Sequence, residues 1–428
     1  MDRVKQLFQL DRWPPLATAA FILLIWVVFY LPLLEFSVSD YILHVKPWLD
    51  YIRANGGFAA LGDDFSEYAP PYLYLLAAFS YFDFPFNDQV LVKLLNVPFI
   101  LIVSYSIFSV CRHFNKSRNY AFAMGAFAVV LPTLGVNAFV WGQADLLYTS
   151  FLSLCVVCVL KERPYWAVAL FAASLSIKLQ SMFLAPFILC MVFAGRIPWK
   201  AAFVAPLVYI GSLVPALIAG RPLSELLQVY LVQGRYYNRL SFNAGNPYFI
   251  LDFFYHASRN WDIYRGVTVL GLALSSVVGG LISLAGVAKE KMSDRAILLL
   301  ATFSVTLMPY VLPKMHDRYF IVSDMMCFLL FCIDRRFWWM ALAMQVSSLL
   351  SFSPEFSAYV LGQEIHDPRD WGWAVLGSMV INGAVIIGLA RALTQELKPV
   401  WDWRGIVDSG LSFLGPLNPK KTRSDSQD

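Results

Sequence analysis

The sequence predicts an all-α, polytopic membrane protein. Three observations predict it. Apolar residues make up 58% of the chain and charged residues only 14%. The mean hydropathy is +0.59. Stretches without a single charge recur, among them Pro15 to Leu34, Leu94 to Val110 and Ala296 to Leu312. A soluble globular domain is about one quarter charged, and a helix crosses a bilayer with about 20 mostly apolar residues, roughly 17 being the lower limit. Backbone groups in hydrocarbon must be satisfied within the segment, so such stretches are read as helices.

In chain order, the pattern predicts about twelve transmembrane helices, at residues 15–34, 89–111, 119–140, 145–160, 164–179, 181–194, 199–219, 266–287, 296–312, 319–333, 337–352 and 372–394. The first is no cleavable signal, being too long for an h-region and lacking a small-residue cleavage site after it. Pro71 to Phe82 (PYLYLLAAFSYF) is apolar but short, and reads as a re-entrant or interfacial helix on the outer face. Counting it as a span would put the next basic connector on the wrong side. With twelve spans the connectors sort by charge: Arg3/Lys5/Arg12, Arg112/Lys116/Arg118, Lys161/Arg163, Arg196/Lys200, Lys289/Lys291/Arg295, Arg335/Arg336 and the tail with Lys420/Lys421/Arg423 fall on one side. The positive-inside rule makes that side cytoplasmic, with both termini inside. The expected organisation is a single multispan catalytic domain over residues 1–394 and a cytoplasmic tail over 395–428. A long first outer loop, about 35–88, is acidic and carries interfacial helices.

The net charge of +4 is distributed by side and not gathered into a patch, so nucleic acid is no expected partner. Cys155-x-x-Cys158 lacks a second pair and a nearby histidine, and is read as buried thiols. Gly62-Asp63-Asp64 offers two carboxylates to a divalent ion, but without a third ligand it is read as a solvated turn, so no metal or cofactor is expected. No nucleotide-binding or zinc motif is present in the sequence.

Three polar islands break the apolar pattern on the outer side. In the first, Asp40 follows the first span and precedes a helix-like run, so it reads either as an N-cap or as a general base for a hydroxyl. In the second, Trp141-Gly-Gln-Ala-Asp145, Gln143 is a candidate substrate contact and Asp145 stands at a helix start, which the dipole favours. Between two short segments lies Lys178, read as a snorkelling lysine or as a phosphate ligand. The third and strongest is Lys314-Met-His-Asp-Arg-Tyr319. His316, Arg318 and Lys314 are donors, Asp317 is a substrate-contact candidate, and arginine binds phosphate through two parallel bonds. Charge between apolar stretches is expensive and is expected to serve function. The loop at 220–265 adds Arg235 and Asn243.

Asp40, Glu67-Tyr68-Ala-Pro-Pro71, Trp141-Gly-Gln-Ala-Asp145 and Pro313-Lys-Met-His-Asp-Arg-Tyr-Phe320 together resemble the GT-C superfamily of glycosyltransferases. These are the multispan enzymes that use polyprenyl-phosphate sugars. The sequence particularly resembles bacterial relatives of the GPI-anchor mannosyltransferases and of the dolichyl-phosphate-glucose glucosyltransferases. Asp317 stands where glutamate is more usual, and an alanine separates Tyr68 from the prolines. The resemblance implies a GT-C-like fold in a plasma (inner) membrane with its active site on the outer, periplasmic face. It also implies transfer of a mannose- or glucose-like hexose from a polyprenyl-phosphate donor to an acceptor hydroxyl on a glycan, lipid or protein, with inversion. Asp40 would be the catalytic base and Asp145 a second acidic position. His316, Arg318, Lys178 and Arg235 would hold the donor phosphate, with Tyr68, Gln143, Asn243 and Asp317 as substrate contacts. The alternatives are a lipid-linked glycan polymerase or ligase, and a flippase or transporter.

Overall fold

The computed structural model describes residues 14–236, 238–287, 292–360 and 369–397. Its helices in chain order are α1 (Pro15–Phe29), α2 (Lys46–Ala54), α3 (Pro70–Phe79), α4 (Asp88–Leu94), α5 (Val97–His113), α6 (Arg118–Phe127), α7 (Asp145–Leu160), α8 (Pro164–Ile177), α9 (Ala185–Phe193), α10 (Val204–Ala219), α11 (Leu223–Tyr236), α12 (Tyr248–Tyr255), α13 (Trp261–Leu284), α14 (Asp294–Val311), α15 (Ile321–Ile333), α16 (Trp338–Val360) and α17 (Arg369–Leu397). Among the described residues one pairing of strands is formed, joining β1 (Ser241–Phe242) and β2 (Met315–His316) in parallel. Prolines open α1, α3, α8 and α5, where a missing N–H costs nothing.

Six stretches among the described residues are long and apolar enough to cross a bilayer: Pro15–Leu33, Asp88–His113, Trp199–Ala219, Trp261–Val287, Asp294–Val311 and Trp371–Leu397. Arg118–Val130 and Pro132–Trp141, bent by 48°, make a seventh if taken as one. The bend falls at Pro132, and a residue before proline is pushed out of the helical region; Leu131 has ψ 129°. By length, this count does not reach the twelve expected. The predicted spans at 145–160, 164–179 and 181–194 form helices of 16, 14 and 9 residues, about 24, 21 and 14 Å long at the usual rise. The expected 319–333 span contributes only the 13 residues of α15. Two of these helices are walled by protein: nearly all of α7 and of α15 is buried, α7 being packed between α5 and α8. A helix enclosed by neighbours need not match the bilayer's thickness.

The segments expected on the outer side are more structured than the sequence suggested. The apolar run at 71–82 is α3, but it does not lie free in the interface. Tyr72, Leu73, Leu76 and Ala77 are buried, α3 packs on α2, α8 and α10, and the Tyr74 hydroxyl donates to the Ser212 carbonyl at 2.9 Å. The expected loop at 220–265 contains α11 and α12, and the expected loop at 353–371 is partly the end of α16, with residues 361–368 outside the described ones.

Ion pairs gather the basic connectors at one end of the bundle. His113 meets Asp294 at 2.7 Å, Arg196 meets Glu162 at 3.0 Å, and Arg295 meets Asp334 at 2.5 Å and Glu396 at 3.0 Å. Helices α7, α14 and α15 run from that end to the other, where Asp145, the 313–318 segment and Phe320 stand. The polar islands therefore converge at the end away from the basic connectors.

Candidate active site

Asp40 begins a π-turn (Tyr41–Val45) that leads into α2. It has helical φ and ψ of −57° and −39° and makes no side-chain cap bond, so capping is not its work. Its carboxylate faces the Trp141–Gln143 turn instead. There, a second π-turn, Val136–Trp141, ends at Gly142, whose φ of +71° suits glycine. The widened turn aims two donors at one oxygen: Trp141 Nε1 lies 3.0 Å and Gln143 Nε2 2.8 Å from Asp40 Oδ2. Arg318 Nη1 is 3.1 Å from the same oxygen.

Arg318 ties the islands together. Its Nε lies 3.5 Å from Asp145 Oδ2, an ion pair without a well-formed hydrogen bond. Its Nη1 is 3.6 Å from Asp317 Oδ1, and its guanidinium sits 5.3 Å from the Trp141 ring centre. Asp145, at the first position of α7, is wholly buried. It accepts from Asn137 Nδ2 at 3.0 Å and from Lys178. Lys178 is itself buried, which excludes the snorkelling reading; it lies within 5.6–6.0 Å of the Tyr68, Tyr148 and Tyr319 ring centres.

His316 is placed by the strand pairing. The register sets it against Phe242, and the rings stack 4.4 Å apart with planes 6° from parallel. Burial, then the Arg318 and Lys178 charges, hold its pKa well below the ordinary 6.5, so the ring is neutral. Burial pushes the Asp317 carboxyl up to about 8 against the pull of Arg318, so it is mostly protonated at neutral pH. Burial opposes the Arg318 charge, but the acidic neighbours, Asp40 foremost, outweigh it and raise its pKa. Tyr68 is raised by burial and stays a phenol; its hydroxyl lies 3.4 Å from Gln143 Oε1.

A narrow polar cavity opens among Asp40, Tyr68, Gln143, Lys178, His316 and Arg318. Thus six of the expected site residues share one cavity, and Asp145 braces it from behind. The other expectations fall elsewhere. Asp317 accepts the Arg318 N–H at 2.8 Å and does not line the cavity. Asn243, at φ +56°, pairs through its backbone with His316, and its side chain lines a neighbouring pocket with Arg239 and Arg259. Lys314 reaches the Gly234 carbonyl at 2.9 Å and the Tyr264 ring, not the site, contrary to its grouping with His316 and Arg318. The Arg235 side chain lies outside the described residues. Asp63 accepts from Tyr51 at 2.9 Å while Asp64 pairs with Arg221, so the two carboxylates serve different partners.

Sequence reasoning missed the wall opposite the cations: His44, paired with Glu67 at 3.3 Å, and Trp48, whose ring centre is 4.9 Å from that of Tyr68. The signal was available, since His44 and Trp48 stand four and eight residues after Asp40 on a helical run. Asn137 was also missed, although it is a lone amide in an apolar stretch eight residues before Asp145.

The family model for glycosyltransferase family 87 matches residues 65–313. A search of curated proteins gave no match. The matched region, 65–313, includes Tyr68, Gln143, Asp145 and Lys178, whereas His316 and Arg318 lie just after it and Asp40 well before it, all three joined to it by the contacts above.

Proposed function

The chain belongs to glycosyltransferase family 87, and from that premise we propose that it transfers a hexose, mannose- or glucose-like, from a polyprenyl-phosphate donor to an acceptor hydroxyl at the outer membrane face, with inversion. Membership makes it a membrane glycosyltransferase and sets aside the transporter reading. The donor, the base, the outer face and a GT-C architecture of about twelve membrane segments are our reading. The observation that carries it is the carboxylate of Asp40 held in a polar cavity by Trp141, Gln143 and Arg318, beside Lys178 and His316.

All described bonds to Asp40 fall on Oδ2. Its Oδ1 is left to accept a proton. In the proposed step the acceptor oxygen attacks the anomeric carbon and its proton passes to Asp40 Oδ1. The bond from that carbon to the phosphate oxygen breaks, and the electron pair leaves on the polyprenyl phosphate. One displacement inverts the centre. Such positioned proton removal is worth about 10²–10⁴-fold in rate.

Charge favours the same direction. Arg318 and Lys178 are balanced by Asp40 and Asp145, with Asp317 mostly neutral. When Asp40 takes the proton, one carboxylate charge disappears and Arg318 is left with surplus positive charge as negative charge grows on the leaving phosphate. Neutral His316 supplies an N–H donor without adding charge. The wall of His44, Glu67 and Trp48 offers the amide-free mix of carboxylate, imidazole and ring that suits an incoming sugar hydroxyl.

The test compares hexose donors on polyprenyl monophosphate, polyprenyl diphosphate and nucleotide diphosphate with the purified protein in detergent. Turnover with the monophosphate alone supports the reading. Turnover with the diphosphate-linked lipid in its place would assign the polymerase or ligase chemistry instead.

A further inference from the structure

We propose that Gln89 and Lys93 are positioning residues that fix Asp40 against the Trp141–Gln143 turn, an inference that rests on Asp40 acting as the proton acceptor. It begins with a polar stripe on an apolar span. Gln89, Lys93 and Asn96 stand at i, i+4 and i+7, one face of a helix, and all are buried. Lys93 is 1% exposed yet forms no ion pair among the described residues. Its ammonium donates to three backbone carbonyls: Leu33 at 2.9 Å, Leu34 at 3.0 Å and Phe36 at 2.6 Å. Three donors meet three acceptors, so the group's capacity is filled.

Gln89, one turn away, holds the same segment from both ends of its amide. Its Nε2 donates to the Phe36 carbonyl and its Oε1 accepts from the Ser37 hydroxyl at 2.5 Å. These carbonyls lie where the first membrane helix has ended; that of Leu33 also accepts the Phe36 N–H at 3.2 Å, and Lys93 and Gln89 add side-chain donors to the segment. Three residues separate Phe36 from Asp40. Over them, Val38 is fully buried and the Ser39 hydroxyl donates to Glu355. The path to the carboxylate therefore has little slack.

The same helix face also holds the other half of the arrangement. Asn96 Nδ2 donates to the Ala138 carbonyl at 3.3 Å, within the π-turn that aims Trp141. A Cβ placed on Gly142 would sit 3.0 Å from Lys93 Cγ, so the lysine's stem is the floor of the turn that carries Gln143. One side chain thus touches both the segment that brings Asp40 and the turn that binds it. A mere helix terminator needs no buried ammonium, since exposed lysines satisfy last-turn carbonyls.

Lys93→Met keeps the stem under Gly142 and removes the three donors; Gln89→Leu leaves the ammonium in place and removes the second hold. For each we expect kcat to fall about ten- to a hundredfold, the scale of a misplaced catalytic group. Donor KM and the affinity for undecaprenyl phosphate alone should stay near the parent's. The acid limb of the pH–kcat profile should shift, which a purely structural loss would not produce. A folded Lys93→Met protein with parental kcat would overturn the proposal. Where Lys93→Met does not fold, Gln89→Leu decides on the same readouts. An inactive Asp40→Asn beside parental Gln89→Leu and Lys93→Met overturns the positioning role alone, whereas a fully active Asp40→Asn removes its premise.

Discussion

Replacing Asp40 by asparagine separates chemistry from architecture, because the variant keeps shape and one acceptor oxygen. In the parent, Oδ2 accepts from Trp141 Nε1 at 3.0 Å and Gln143 Nε2 at 2.8 Å, and an asparagine oxygen takes both bonds. What is lost is the pairing with Arg318 at 3.1 Å. That loss does not strand the guanidinium, which still has Asp145 at 3.5 Å and Asp317 at 3.6 Å. Asp40 is 24% exposed, so the pair is worth about 1 kcal/mol or less. In a chain of this size that shifts Tm by only a few degrees. Turnover is another matter, since loss of a general base costs about 10²–10⁴-fold in kcat. Asp40→Asn is therefore expected to express, hold its Tm, bind undecaprenyl phosphate like the parent, and lose at least about two orders of magnitude in kcat in a radiolabelled-sugar transfer assay. An asparagine variant working within tenfold of the parent would refute the assignment of Asp40 as base and move attention to Asp145.

Arg318→Lys keeps the charge but cannot reach Asp40 and Asp145 at once, so donor kcat/KM should fall by the equivalent of about 1–3 kcal/mol; an unchanged value in the same assay would reduce Arg318 to an anchor. Asp317 is raised to about 8 from 3.8, so the folded state binds its proton more tightly, and its stabilising contribution is complete below pH 4 and lost as pH rises towards 8. Asp317→Asn, whose oxygen still accepts the Arg318 N–H, should match the parent's thermal stability near pH 4 and exceed it increasingly up to pH 8; parallel curves would refute the shift. Single cysteines at Asp63 and Asn243 in a Cys-depleted background should react with an impermeant maleimide from outside the cell, and one at Ser117 should not; the reverse pattern would invert the orientation.

The sequence carried the class of protein and the grouping of its polar islands further than it carried the count of its spans. Hydropathy registers how apolar a segment is, not what surrounds it. The helices at 145–160 and 164–177 are as apolar as spans, but their neighbours are other helices. Length then stops being diagnostic, and so the twelve-span expectation outran the six or seven helices that meet the bilayer's length. The bent stretch at Pro132 was legible in principle, because a proline inside an apolar run marks a break.

The polar islands were legible for the opposite reason: charge between apolar stretches has few harmless explanations. What one dimension could not give was the choice among readings at each island. Asp40 was as good a cap as a base until its helical dihedral angles and its three partners on one oxygen removed the cap reading. Lys178 could have snorkelled until Asp145, thirty-three residues earlier, was seen to hold it. Lys314 and Arg318 looked alike in sequence, yet the positive φ of Lys314 turns it towards Tyr264 while Arg318 turns inward. Arg318 is the residue on which the others depend: it meets a carboxylate from the segment before α2, one from the start of α7 and one from its own turn. Any perturbation that moves one of these segments will therefore be felt at the other two, which is why the buried clamp on residues 33–37 bears on chemistry and not on folding alone.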